Sequence, residues 1–158
     1  MRMMLFFHTT TIGRIGIAEE NGAITNLYFE SHAIPHNVEI RETAIIKEAF
    51  RQLKAYLAGD LQSFSVPLAP AGTDFMRTVW KTLCSVPYGK TASYTEIALG
   101  AGNPKAARAV GMANNKNPIP IFIPCHRIIG IGGKLVGYRG GLSVKKALLD
   151  LEKNHGTL

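Results

Sequence analysis

The sequence predicts an α/β N-terminal domain, an antiparallel sheet plus one helix, followed by an α-helical C-terminal domain with a helix-turn-helix. Three observations predict it. Short β-rich runs and an Asn-Gly turn fill the first thirty residues, and the apolar period then becomes helical. The second half carries successive helix-start signals and a glycine turn between two short helices. The charge is uneven: residues 1–72 hold six Lys/Arg against seven Asp/Glu, a net −1, while 73–158 hold twelve against four, a net +8. These two spans are the expected domains, with the boundary near Gly72. A neutral unit joined to a basic one is the pattern of a polyanion-binding module.

In the first domain, Met3–Thr9 and Ile12–Ala18 read as strands separated by a threonine-rich turn. Glu20-Asn21-Gly22 follows, and Asn-Gly is a strong hairpin signal because both central turn residues need positive φ. Ile24–Glu30 is the next strand, giving an antiparallel meander. From about Glu39 to Ala58 the apolar positions Ile46, Ala49/Phe50, Leu53 and Leu57 fall at helical spacing, and Gly59 ends that helix. Leu61–Ala71, with Pro67 and Pro70, reads as a strand-like tail and linker. His8, His32 and His36 have no cysteine or spaced carboxylate beside them, so no metal site is expected.

The second domain opens with a helix over Thr73–Ser85, its apolar face formed by Phe75/Met76, Val79/Trp80 and Leu83, with Cys84 a structural thiol at its end. Ser93-Tyr94-Thr95-Glu96 fits a capping box before a short helix Tyr94–Leu99. Gly100-Ala101-Gly102 makes the turn. Asn103-Pro104 then opens a helix running to about Ala113, with Asn103 as N-cap. Helix, three-residue turn, helix is the helix-turn-helix spacing. The second helix is rich in small residues, Ala106, Ala107, Ala109, Gly111 and Ala113, with Arg108 the one long probe. Such a helix suits close approach to a minor groove, or equally tight packing on another helix; reading of base sequence is not expected from it.

The chemistry lies in Asn117–Arg127. Pro118, Pro120 and Pro124 predict a stiff, extended segment that presents Cys125. His126 and Arg127 give the thiol a positive neighbourhood, which favours thiolate. An adjacent Cys-His pair is also compatible with an inert buried thiol, because neighbouring side chains diverge. The glycine-rich 130–141 segment has neither P-loop nor Rossmann spacing. Ser143–Asn154 is a closing helix with Ala147, Leu148 and Leu151 apolar; Glu152 on it either orients His126 or forms a surface ion pair. No apolar run approaches a membrane span, and two cysteines make no disulfide framework, so a cytoplasmic setting is expected.

Pro124-Cys125-His126-Arg127, preceded by Asn117-Pro118 and by Asn103–Gly111, resembles the O6-alkylguanine-DNA alkyltransferases. Tyr138-Arg139-Gly140-Gly141 and Glu152 extend the resemblance through Gly156, and the first domain is similar in shape to that family's ribonuclease-H-like domain. The resemblance implies direct DNA repair without a cofactor by a monomer that flips an alkylated guanine from the duplex, touching the minor groove without regard to sequence. O4-alkylthymine is a second possible substrate. Cys125 would accept the alkyl group once and irreversibly. His126 would be its base through a water, Glu152 would orient His126, Asn117 would brace the turn, and Tyr94 would push on a phosphate and protonate the leaving guanine. Arg108 would fill the gap in the stack, with Asn103, Ala106 and Ala107 along the DNA. Pro120, Tyr138 and Gly140 would wall the alkyl pocket, and the Arg139 amide would bond the base oxygen; some relatives carry serine at that position. Alkyltransferase-like modules that bind damage without repairing it lack the cysteine, and they are the alternative. The cysteines of the zinc-bearing, transcription-activating relatives are absent.

Overall fold

A computed structural model describes residues 2–156. The chain divides into two compact units, 1–71 and 72–158.

The first unit is a four-stranded sheet with one helix. Strands β1 (Met3–Thr10), β2 (Gly13–Glu20) and β3 (Ala23–Tyr28) form the expected antiparallel meander, with Phe6 opposite Ile17 and Ile17 opposite Leu27. Asn21 and Gly22 both take positive φ, 55° and 78°, the backbone that a two-residue turn of this hand requires. The strand expected to reach Glu30 stops at Tyr28. The chain turns there, where the His32 amide donates to the Phe29 carbonyl and the His32 ring accepts from the Phe29 amide.

The sheet is mixed rather than purely antiparallel. A three-residue strand, β4 (Val38–Ile40), runs parallel to β1 on its outer edge, giving the order β3-β2-β1-β4. Three residues are too few to show an alternation against the flanking loop, so the sequence pattern conceals it. Residues 61–71 add only a bridge: Ile24 donates to the Pro67 carbonyl and accepts from the Ala69 amide.

Helix α1 (Ala44–Leu57) begins later than its periodicity suggests. Thr43 caps it by accepting from the Ile46 amide. Ile46, Ala49, Phe50, Leu53 and Tyr56 face Leu5, Ile15, Ile17, Ile24 and Leu27, which together form the buried core of this unit. Gly59, at φ 83°, closes the helix.

The second unit packs helices α2 (Asp74–Cys84), α3 (Tyr94–Gly100) and α4 (Ala107–Asn115) against one another. Two short strands, β5 (Ala92–Ser93) and β6 (Ile128–Ile129), pair in parallel, and α5 (Leu142–His155) closes the unit. Val79, Trp80 and Leu83 are buried from α2, and the Trp80 indole donates to the Ala113 carbonyl at 2.9 Å, tying α2 to the end of α4. Cys84 is exposed rather than packed in the core. The capping box at α3 forms in full: Ser93 Oγ accepts from the Glu96 amide, and the Glu96 carboxylate accepts from the Ser93 amide.

Asn103 is not the N-cap of α4. The helix starts at Ala107, and Ala106 precedes it without a side-chain cap. Asn103 and Pro104 instead occupy a separate turn closed by the Ala106 amide on the Asn103 carbonyl. Asn at the first position of a β-turn and Pro at the second is as natural as Asn-Pro at a helix start, so the dipeptide fits both.

Candidate active site

Asn117 organises the cysteine segment. Its side-chain amide donates to the Ile123 carbonyl at 2.9 Å, and its side-chain oxygen accepts from the Ile119 amide at 3.0 Å. The two bonds fold residues 117–123 into a closed turn, and the Ile123 amide returns to the Ile119 carbonyl. The three prolines do not hold an extended strand, as their number suggests. Within the turn Ile121 takes φ 77°, a left-handed backbone that a β-branched residue adopts at a cost of roughly 1–3 kcal/mol. Asn117 is fully buried, so its bonds are made in a dry setting where they count most.

Cys125 opens a 3-10 turn through Arg127 and is itself buried. Burial pushes its thiol up to about 11; the hydrogen bond from Asn117 and the charges of Lys145 and Arg139 pull the other way. The expectation that its sequence neighbours create the positive field is therefore corrected. Arg127 turns away: Nε and Nη2 grip the Glu152 carboxylate at 2.8 and 3.0 Å, and Nη1 donates to the Val86 carbonyl. The cations that act on the sulfur come from the glycine loop and from α5.

His126 is fully buried, and its Nε2 donates to Glu152 Oε2 at 2.7 Å. That bond fixes Nδ1 as the acceptor nitrogen of the neutral ring. Burial lowers the His126 pKa, and Glu152 opposes the shift. Glu152 is not a surface residue: it is 1 % exposed and accepts from His126, from two Arg127 nitrogens and from the Gly89 amide. Four donors on one carboxylate hold it aimed.

The inward face of α5 is Lys145, Leu148 and Glu152, not the expected Ala147, Leu148 and Leu151. Lys145 is fully buried, and its ammonium donates to the Ile128 and Val136 carbonyls at 2.7 and 2.8 Å. Desolvation lowers its pKa while the nearby Cys125 raises it. The spacing i, i+3, i+7 about Leu148 was the available signal for this lysine; a charged residue reads as solvated when only apolar periodicity is counted.

Tyr94, at the first position of α3, is half-buried and senses Cys125: desolvation and the cysteine charge raise its pKa. A Cβ at Gly111 would stand 3.5 Å from the Tyr94 ring, so α4 and that ring lie close together. Arg139 is exposed overall, yet its Nη1 donates to the Asn117 carbonyl at 3.2 Å. Asn117, Cys125, His126, Glu152, Tyr94 and Arg139 thus converge, with Arg127 in a role other than the expected one and Lys145 as a member the sequence did not single out. Pro120 is buried in the Asn117 turn; Tyr138 and Gly140 flank Arg139 and are half-buried. Arg108 is exposed near the start of α4, with Ala106 and Ala107 half-buried beside it and Asn103 exposed in the preceding turn. Among the described residues no cluster of three His, Cys, Asp or Glu could hold a metal ion.

Residues 5–70 match the model of the 6-O-methylguanine DNA methyltransferase ribonuclease-like domain, and residues 74–154 match that of the 6-O-methylguanine DNA methyltransferase DNA binding domain. A methylated-DNA–protein-cysteine methyltransferase of Methanosarcina mazei is 45 % identical over 96 % of this chain and 99 % of its own length. One from Methanosarcina barkeri is 57 % identical over 73 % of each chain. Among solved structures, Mycobacterium tuberculosis OGT in complex with DNA superposes with a TM-score of 0.91 at 45 % identity, covering 96 % of this chain and 94 % of that one.

Proposed function

The chain belongs to the 6-O-methylguanine DNA methyltransferase family, and from that membership we propose that it repairs DNA directly, with Cys125 as the alkyl acceptor. The Cys125 sulfur attacks the alkyl carbon on O6 of guanine, or on O4 of thymine. The S–C bond forms as the C–O bond breaks, leaving a thioether and an unmodified base. No step regenerates the thiol, so each molecule acts once.

The observation that carries this reading is a buried Cys125 followed in the chain by a buried His126 whose ring is bonded to the buried Glu152. A thiol held up to about 11 needs a base at the moment of attack. His126 supplies it: Glu152 fixes Nε2 as donor, leaving Nδ1 to take the thiol proton through one water. Tyr94, its phenol kept protonated by burial, donates to a ring nitrogen of the leaving base, so that the base departs neutral.

Units 1–71 and 72–158 correspond to a ribonuclease-H-like domain and a helix-turn-helix domain, the latter formed by α3 and α4. Helix α4 enters the minor groove, where Arg108 fills the space of the flipped nucleotide and Asn103, Ala106 and Ala107 lie along the backbone. Flipping costs a few kcal/mol, which contacts along a widened groove offset. The net +8 of the second domain grips phosphates without reading sequence. Pro120, Tyr138 and Gly140 wall the alkyl pocket, and the Arg139 amide bonds the base oxygen. The protein acts as a monomer without a cofactor. Two free cysteines and no helix long and apolar enough to cross a membrane, among the described residues, support a cytoplasmic setting.

The test is an intact-mass measurement after incubation with duplex DNA carrying O6-methylguanine. The expected product is one methyl per protein, on the Cys125 peptide, and none in Cys125→Ala, which still binds the duplex. Tight binding without an adduct in the unmodified protein would instead make it a damage-binding module.

A further inference from the structure

The segment 130–141 holds six glycines, and Gly132, Gly133, Gly137 and Gly141 take positive φ. A loop of this composition has much conformational freedom to lose and few side chains with which to hold a shape. Two cations fasten it. Lys145 reaches the Val136 carbonyl from below, and Arg139 reaches across to the Asn117 carbonyl. The second contact is the more consequential, because it joins two separate pieces of the site. Arg139 stands between Tyr138 and Gly140, whereas Asn117 anchors the turn that contains Pro120.

We propose that the Arg139 side chain is a latch that sets the distance between the 138–140 loop and the Pro120 turn, and so selects alkyl groups by size. This rests on the alkyl-transfer reading above, which assigns those two segments to the pocket walls. It goes beyond a role for the Arg139 amide, which any residue could fill. A serine at this position could not span to the Asn117 carbonyl; an arginine can, with a planar donor set and a charge that does not titrate. Arg139 is a positioning residue, acting on the pocket through the loop that carries it.

The same guanidinium favours ionised Cys125, in concert with Lys145 from α5 and the Asn117 side chain, while Tyr94 faces the sulfur from α3. The latch therefore has two separable consequences: a geometric one on pocket width, and an electrostatic one on how readily the sulfur ionises as it attacks.

The experiment uses the full chain with free O6-methylguanine and free O6-benzylguanine, so that no phosphate contact by Arg139 contributes. Adduct on Cys125 is followed by mass over a range of pH. In Arg139→Ala the benzyl-to-methyl rate ratio should rise about tenfold, within the range by which pocket shape discriminates substrates. The methyl rate at a fixed pH above the acid limb should fall, because a charge that favours the ionised sulfur is gone. Arg139→Lys keeps the charge and can still donate, so its methyl rate should hold while its ratio falls between the other two. An unchanged ratio in both variants, with thermal transitions matching the parent, overturns the latch. So does a defect that appears only with duplex DNA, which would mark Arg139 as a phosphate contact. If the parent chain itself forms no adduct, the alkyl-transfer reading fails first; an adduct with an unchanged ratio removes the latch alone.

Discussion

Each unit of the molecule carries a histidine–glutamate hydrogen bond, and the two sit in opposite settings. In the first unit His8 Nε2 pairs with Glu42, its ring stacks on Phe50 with centroids 4.0 Å apart, and Lys54 Nζ sits 2.7 Å from Nδ1. In the second, His126 Nε2 pairs with Glu152, and Arg127 grips the carboxylate. The same side chains meet through the same nitrogen. What differs is exposure, 24 % and 26 % for the first pair against 0 % and 1 % for the second, and the position of the third, cationic group. Lys54 is a donor only, so it occupies the nitrogen His8 would need to accept a proton. Arg127 donates to both oxygens of its carboxylate and to the Val86 carbonyl, not to the ring. Proximity of His and Glu is thus a weak mark of a catalytic base; what sets the proposed base His126 apart is burial and a cation that binds the carboxylate instead of the ring.

The comparison breaks most visibly at the carboxylates. Glu152→Gln removes the charge that faces a buried Arg127 and leaves one acceptor oxygen for four donors, so Arg127 and His126 cannot both keep their present bonds. Removing one partner of a buried pair costs about 3–5 kcal/mol, and the loss should appear in urea denaturation. Transfer to Cys125 should fall by about two orders of magnitude or more, the usual worth of a positioned general base. Glu42→Gln should leave transfer unchanged. Equal losses from the two substitutions would show that burial is not what separates the pairs.

A smaller effect follows from pH. Burial sets His126 below its ordinary value of 6.5. As the pH falls below that value, the unfolded chain takes up a proton that the folded one refuses. The stability tied to His126 is therefore complete above 6.5 and is lost as the pH drops through the folded pKa. The acid limb of the transfer rate should likewise lie below 6.5, because the neutral base persists there. Since Glu152 holds this pKa up, the limb of Glu152→Gln, measured on its residual rate, should move lower still. A limb that moves upward would mean that a group other than His126 is being titrated.

The legible parts of the sequence were those written in backbone chemistry. Asn21-Gly22, the Ser93–Glu96 capping box and Gly59 each impose a local geometry that needs no tertiary partner, and each appears in the structure. The Cys125–Arg127 run and Glu152 stood out because their residue types are uncommon together. Features decided by packing stayed hidden. Strand β4 depends on the edge of β1, and the start of α4 depends on how the Asn103 turn closes. Lys145 is buried only because two carbonyls await its ammonium. The direction of Arg127 was concealed for the same reason: adjacency to Cys125 suggested a field on the sulfur, while the fold spends its charge on Glu152 and Val86.

The smallest expected effect belongs to the half-buried pair, and it is the control for all the others. His8→Ala removes a ring that stacks on Phe50 and joins Glu42 to Lys54. Glu42 and Lys54 both remain in contact with water, so neither is left as a buried unpaired charge. The Glu42 and Lys54 charges, bridged by the ring, attract each other by up to about 1 kcal/mol, and salt weakens that attraction. Glu42→Gln, which spares the ring, should therefore cost less than about 1 kcal/mol in low salt and lose that cost in 1 M salt. His8→Ala should cost somewhat more, because its stacking on Phe50 is insensitive to salt. Neither variant should alter the rate of methyl transfer to Cys125. A salt-independent loss in Glu42→Gln as large as that of Glu152→Gln would place the first pair in an environment as dry as the second, and the distinction between them would fail.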